Sequence, residues 1–138
     1  MYLLDTDIVV YSLKGNENVR RNLEGHLNDP MKLCVITLME LYFGAYKSER
    51  VAWNLARVRT LQNSLPVIAV EQEIAETFGM LKASLGRSGQ PLDDFDLIIA
   101  SCALAHNLTL VTNNVKHFKR ITDLRITNWC VFPEKESP

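Results

Sequence analysis

Short apolar runs alternate along this chain with longer stretches of helical periodicity, and that alternation restricts the fold more than any other feature. Leu3-Leu4, Lys32 to Ile36, Pro66 to Val70, Leu108 to Thr112 and Leu124 to Trp129 read as short strands. Helical spacing marks Ile8 to Leu13, Glu17 to Asn28, a segment from Thr37 carrying Leu38, Leu41, Tyr42 and Ala45, Glu49 to Asn63, Glu71 to Gly86, and the run Leu97 to Ala103. Thr6 or Asp7 is expected to cap the first helix, Asn16 the second, and Asp93 or Asp94 the last. Strands separated by helices pair in parallel through right-handed crossovers, so the expected class is α/β, a parallel-sheet helix-sheet-helix sandwich. Neither a repeat nor a linker interrupts the chain. One domain over 1–138 is expected, with a charged, flexible tail from about 131.

Composition narrows the function classes. A chain of 138 residues buries about two-thirds of its unfolded surface, enough for one core without a stapling metal or disulfide. Fifteen basic and sixteen acidic residues leave a formal charge of −1, which excludes long-range cationic attraction as the basis of nucleic-acid binding. Local patches would have to supply such contacts. Met1 to Leu13 has no Lys or Arg and carries Asp5 and Asp7 within its apolar stretch, unlike a secretory signal, so a cytoplasmic location is expected. Residues 97–115 lack charge but are broken by His106, Asn107 and Thr109, which fits a helix and a strand rather than a membrane span. Cys34, Cys102 and Cys130 sit in apolar settings and read as reduced core thiols.

Two acidic knots stand at element ends: Asp5-Thr6-Asp7 after the first strand, and Asp93-Asp94-Phe95-Asp96 at the start of a late helix. In an open parallel sheet the carboxyl ends of Leu4-Asp5 and Val111-Thr112 point the same way, so Asp5 and Asn114 can meet at one crevice. The helix starts near Thr37 and Asp93 can converge there too. If Asp5, Glu40 and Asp96 meet, their carboxylates repel, and oxygen-ligated Mg²⁺ or Mn²⁺ is the usual relief. A cation held this way lowers the pKa of a bound water and neutralises a phosphoryl oxygen, which is phosphodiesterase chemistry. Water attack needs no 2′-hydroxyl and leaves a 5′-phosphate and a 3′-hydroxyl.

Structural roles compete for each residue. Glu40 stands three after Thr37, the capping-box spacing, and Asp7 and Asp93 read as caps. Asp96 lies in a first helical turn, where an anion is favoured by about 0.3–1 kcal/mol. Asn113-Asn114 has turn composition. Cys102 and His106 are four apart, yet two ligands do not close a zinc site. His26 and His117 have no recognisable nucleophile beside them. Tyr42, Phe43, Tyr46 and Trp53 are too crowded for one helix face to bury, leaving core filling or an exposed patch for a partner.

Four motifs in order make the chain resemble the PIN-domain ribonucleases, specifically VapC-type toxins. They are Leu3-Leu4-Asp5-Thr6-Asp7; Thr37-Leu38-Met39-Glu40-Leu41 with Gly44; Asp96-Leu97-Ile98-Ile99-Ala100 with Ala103; and Leu110-Val111-Thr112-Asn113-Asn114 before Phe118. Leu124 to Trp129 is similar to the family's closing strand. The resemblance implies a PIN-like fold, Asp5, Glu40 and Asp96 as Mg²⁺-binding acids, and a metal-dependent endoribonuclease acting as a toxin. It further implies an RNA substrate, a homodimer, and a cognate VapB-like antitoxin that covers the groove. Asn114 stands where many relatives have a fourth acid, and an amide there can orient water or phosphate without adding charge. Asp7 stands where the family often has Asn.

Two other functions fit parts of the pattern. Asp5-Thr6-Asp7 after a strand is similar to the start of a haloacid-dehalogenase phosphatase, but Thr112 follows the acidic pair Asp93-Asp94 where that family has it first. A PIN-like module that binds RNA or protein without cutting is compatible with the amide at Asn114.

Overall fold

The computed structural model describes residues 1–136. Strand β1 (Tyr2–Leu4) leads into α1 (Thr6–Leu13) and α2 (Glu17–Gly25), and β2 (Met31–Cys34) into α3 (Val35–Lys47) and α4 (Val51–Ser64). Next come β3 (Val67–Ile68), a 3₁₀ turn at Gln72–Ile74, α5 (Ala75–Arg87), α6 (Asp94–Ala105) and β4 (Thr109–Val111). The chain then runs through α7 (Val115–Phe118), β5 (Ile126–Asn128) and β6 (Lys135–Glu136). The sheet order is β3-β2-β1-β4-β5-β6; the first five strands are parallel and β6 is antiparallel to β5. The expected parallel-sheet sandwich is therefore the observed fold.

Alternation along each strand divides the core into two layers. Leu3, Cys34, Leu110 and Ile126 face Leu81, Leu85, Leu97 and Ile99 of α5 and α6, together with Phe118. Leu4, Leu33 and Val111 face the other way, onto Ile8 and Val9 of α1, Leu38 and Leu41 of α3, and Leu55 and Val58 of α4. With both faces covered, the inner strands need few polar positions, which is why Leu3-Leu4, Leu33-Cys34 and Leu110-Val111 appear in the sequence as short apolar runs. Each fully buried Leu or Ile contributes roughly 1.5–3 kcal/mol.

Local boundaries differ from expectation where tertiary packing decides them. Asp5, not Thr6 or Asp7, caps α1: its backbone stays extended and its Oδ1 accepts from the Thr6 amide at 2.9 Å. Strand β2 stops at Cys34 rather than Ile36, and α3 starts at once without a side-chain cap, because Ile36 and Thr37 are buried in the first helical turn. Asn16 caps α2 through the Val19 amide and Asp93 caps α6 through the Phe95 amide, as expected. The four-residue α7 is too short to show periodicity.

Within the tail expected to be flexible from about 131, Lys135–Glu136 pair with β5 as β6. Its anchor is Glu134, whose carboxylate accepts from Trp129 Nε1 at 2.7 Å and Thr127 Oγ1 at 3.0 Å, with His26 Nε2 at 2.7 Å. His26 stacks on Trp129 with ring centroids 4.8 Å apart, and the Asn22 amide donates to the Trp129 and Val131 carbonyls. Polar residues that look solvated in the sequence thus fill one socket around a fully buried indole. Ser137 and Pro138, the last residues of that tail, lie outside the described residues. Among the described residues no helix is long and apolar enough to cross a membrane.

Candidate active site

The carboxyl edge of the parallel sheet collects the acids. Asp5 follows β1 directly, and Glu40 lies in the second turn of α3, which leaves the end of β2 without a loop. Helix α6 returns antiparallel to β4, so its first turn, with Asp96, starts at that same edge. Asp5 is 5% exposed; Asp7, Glu40, Asp96 and Asn114 are half-buried.

Threonines hold the acids in place. Leu4 pairs in register with Val111, which sets Asp5 beside Thr112, and Thr112 Oγ1 donates to Asp5 Oδ2 at 2.7 Å. The same hydroxyl accepts from the Asn114 amide at 2.9 Å. Thr6 Oγ1 donates to Glu40 Oε1 at 2.7 Å and lies 3.1 Å from Thr37 Oγ1. Glu40 therefore does not close a capping box with Thr37; its carboxylate is turned across to the β1–α1 junction. Asp7 Oδ2 accepts from the Asn113 amide at 3.1 Å, while its Oδ1 is buried with no hydrogen-bond partner.

Electrostatics show that the acids feel one another. Burial pushes the Asp5 carboxyl up to about 7, and the Asp7 charge adds to the rise; donation from Thr112 and Thr6 opposes it. Burial likewise raises Asp7, against the pull of the Asn113 and Ile8 amides. Asp96 is pushed up to about 6 by burial and then by the charges of Asp5, Asp93 and Glu40, with His117 opposing. Among the described residues, none of Asp5, Asp7, Glu40 and Asp96 forms a salt bridge with a basic side chain. An oxygen-only, uncompensated acidic edge with an orphaned carboxylate oxygen is a donor set that suits a hard divalent cation. The acids do not form a closed cage: no His, Cys, Asp or Glu triplet among the described residues is gathered tightly enough to be a ready-made metal centre.

Of the residues expected at the site, Asp5, Glu40 and Asp96 share this edge. Asn114 joins it through its backbone, capping α7 beside Thr112. Thr112, Thr6 and Asp7 were not assigned to the site from sequence. The available signal for Thr112 was its place one residue past an apolar run, at the same strand end as Asp5. Asp93 caps α6 and Asp94 pairs with Lys82 at 2.9 Å, so neither points into the site.

A recess of about 310 Å³ opens beside Glu40, lined by Leu41 and Val58 and by the basic residues Lys14 and Arg57. Arg57 donates to the Leu13 carbonyl and lies over the Trp53 ring, 4.5 Å from its centroid, with Arg50 at 4.4 Å. Local positive charge thus exists next to the acids despite the near-neutral total. Phe43 and Tyr46 of α3 and Trp53 of α4 are exposed, whereas Tyr42 is half-buried and bonded to Gln62.

Known proteins share this fold. A model of the PIN domain family matches residues 2–124. Ribonuclease VapC2 of Haemophilus influenzae is 38% identical over 133 residues, covering 93% of this chain and 97% of that protein. The tRNA(fMet)-specific endonuclease VapC of Salmonella typhimurium is 36% identical over 132 residues, covering 94% and 98%. A crystal structure of VapBC2 from Rickettsia felis bound to a promoter DNA fragment superposes with a TM-score of 0.87 at 35% identity, over 93% of this chain and 98% of that one. The chain therefore belongs to the PIN-domain family and, within it, to the VapC ribonucleases.

Proposed function

We propose that this protein is the toxin of a type II toxin-antitoxin pair, an endoribonuclease that hydrolyses RNA phosphodiester bonds with Mg²⁺, or Mn²⁺ in its place. The observation that carries this reading is Asp5: a buried carboxylate fixed by Thr112, crowded by other acids and unpaired with any base. A buried anion without a partner costs several kcal/mol, and a divalent cation removes that cost while recruiting phosphate.

Asp5, Glu40 and Asp96 are the residues that would hold the cation. When bound, it supplies a water of lowered pKa and neutralises charge on a phosphoryl oxygen. The chain's own contribution is orientation and charge. Thr112 fixes Asp5 Oδ2, Thr6 fixes Glu40 Oε1, and Asn114 at the edge offers an amide to water or phosphate. Lys14 and Arg57, beside Glu40, supply the positive field that guides an RNA backbone into the recess. The partner is a VapB-like antitoxin, a reading supported by the similar structures, which are VapBC complexes; the homodimer rests on the family resemblance. Phe43, Tyr46 and Trp53 offer the antitoxin an apolar docking face.

Purified protein freed of its partner, incubated with labelled RNA and Mg²⁺, tests the proposal. EDTA-sensitive cutting that Asp5→Asn abolishes is the expected result. A folded protein that neither cuts RNA nor binds Mg²⁺ would instead be a non-catalytic binding module.

A further inference from the structure

Two of the cysteines, 68 positions apart, meet inside the protein. Cys34 Sγ and Cys102 Sγ are 3.6 Å apart, and both residues are 0% exposed. Cys34 ends β2 and directly precedes α3; Cys102 lies on the buried face of α6. The contact bridges the two helices that carry Glu40 and Asp96. Cys130 packs in the core layer on the opposite face of the sheet, so it cannot compete for either sulfur in the native fold.

We propose that Cys34 and Cys102 form an oxidisable dithiol that a hydroperoxide converts into an intramolecular disulfide. In the first step the Cys34 sulfur attacks a peroxide oxygen: an S–O bond forms, the O–O bond breaks, and the departing oxygen leaves as water with the thiol proton. Cys34 is then a sulfenic acid. The Cys102 sulfur next attacks the Cys34 sulfur: the S–S bond forms, the S–O bond breaks, and the hydroxyl leaves as a second water with the Cys102 proton. Two thiols lose two electrons in all, and one hydrogen peroxide becomes two waters.

Geometry favours this outcome. A disulfide needs the sulfurs at about 2.05 Å, so they must close by about 1.5 Å, a small side-chain rotation from the observed contact. The hydrogen bond with Cys102 holds the Cys34 thiol down to about 7, with help from the amides of Ile36 and Thr37 at the start of α3. The same bond, with burial, raises the Cys102 thiol; the amides at the start of α3 face Cys34 alone, which makes it the first nucleophile. Full burial restricts the first step to small oxidants reaching the pair during local opening. Once Cys34 is oxidised, the resolving sulfur is already in contact.

The experiment uses the reduced full chain, treated with graded hydrogen peroxide, quenched, unfolded and alkylated with iodoacetamide. Intact mass and non-reducing peptide maps then read the cysteines. At doses that consume Cys34, the expected product has lost two hydrogens and carries one alkyl group instead of three, with the Cys34 and Cys102 peptides linked. Cys130→Ser is expected to close the same bond, which keeps the test informative if Cys34→Ser or Cys102→Ser misfolds. Three alkylated thiols after exposure that oxidises the protein's methionines would overturn the proposal, as would Cys34 sulfinic acid beside a free Cys102.

Discussion

Thr112→Val removes one hydroxyl from a fully buried position and changes the shape of the site least. That hydroxyl donates to Asp5 Oδ2 at 2.7 Å and accepts from the Asn114 amide at 2.9 Å. A hydrogen bond to a charged group contributes about 1.5–3 kcal/mol. At 1.36 kcal/mol per unit, its loss raises the Asp5 pKa by about one to two units. Starting from about 7, the carboxyl moves to about 8–9, and its ionised fraction near neutrality drops from about a half to about 1–10%. A cation binds the ionised carboxyl, so a higher Asp5 pKa weakens its apparent affinity. The apparent Mg²⁺ affinity near pH 7 is therefore expected to fall by about 5- to 50-fold and to recover by about pH 9, and RNA cleavage at sub-saturating Mg²⁺ to fall with it. The assay is the Mg²⁺ dependence of kcat/KM against pH, with urea unfolding to verify the fold and Thr112→Ser as the hydroxyl-bearing control. If the valine variant stays folded and its pH profile overlays that of the unaltered protein, Asp5 is not an ionised group held by Thr112 and the reasoning fails.

Other outcomes follow from the same contacts. Mg²⁺ is expected to stabilise the fold by mass action, by about 1–3 kcal/mol at 10–100 times its Kd, read as a rise in Tm, and to lose that effect in Asp5→Asn or Asp96→Asn; equal shifts in all three proteins would place the cation elsewhere. Glu134→Gln is expected to cost about 1–3 kcal/mol and to flatten the pH dependence of Tm. Burial alone would raise Glu134, but donation from Trp129, His26 and Thr127 holds it below its usual value, so its contribution is complete above about 4.5 and lost as pH falls through the lowered value. Burial alone would lower His26, but Asp29 and Glu134 hold it above 6.5, so its contribution is complete below 6.5 and lost as pH rises through the raised value. A melting curve for Glu134→Gln that keeps the full pH dependence of the parent would exclude this pair. Trp53→Ala and Tyr46→Ala are expected to weaken binding of a VapB-like antitoxin at least about tenfold, measured by calorimetry; unchanged affinity would move the docking face elsewhere.

The architecture was legible because the inner strands carry short apolar runs and the longer helices carry apolar stripes, so period separates most of them. Asp5 was legible for the same reason: an acid directly after Leu3-Leu4 has no local partner. Glu40 was not, since Thr37 three residues earlier offers a local explanation that only the buried position of Thr37 and the bond from Thr6 remove. Thr112 and Asp7 were missed because their roles depend on the register of β1 against β4 and on the Asn113 amide, contacts across more than a hundred residues. The contacts of the tail are not legible, because Glu134 looks like any surface charge until the indole of Trp129 is known to be buried beneath it.

The strand that leads into Asp5 is synthesised long before β4, the neighbour that completes its edge. Asp5 and Asp7 receive Thr112 and the Asn113 amide only when β4 has docked against β1. A nascent chain that has emerged as far as α5 holds β1, β2 and β3 but neither Asp96 nor the groups that fix Asp5. The acidic edge is therefore assembled only after β4 has emerged and docked, and a nascent chain that has not reached β4 lacks the groups that hold Asp5.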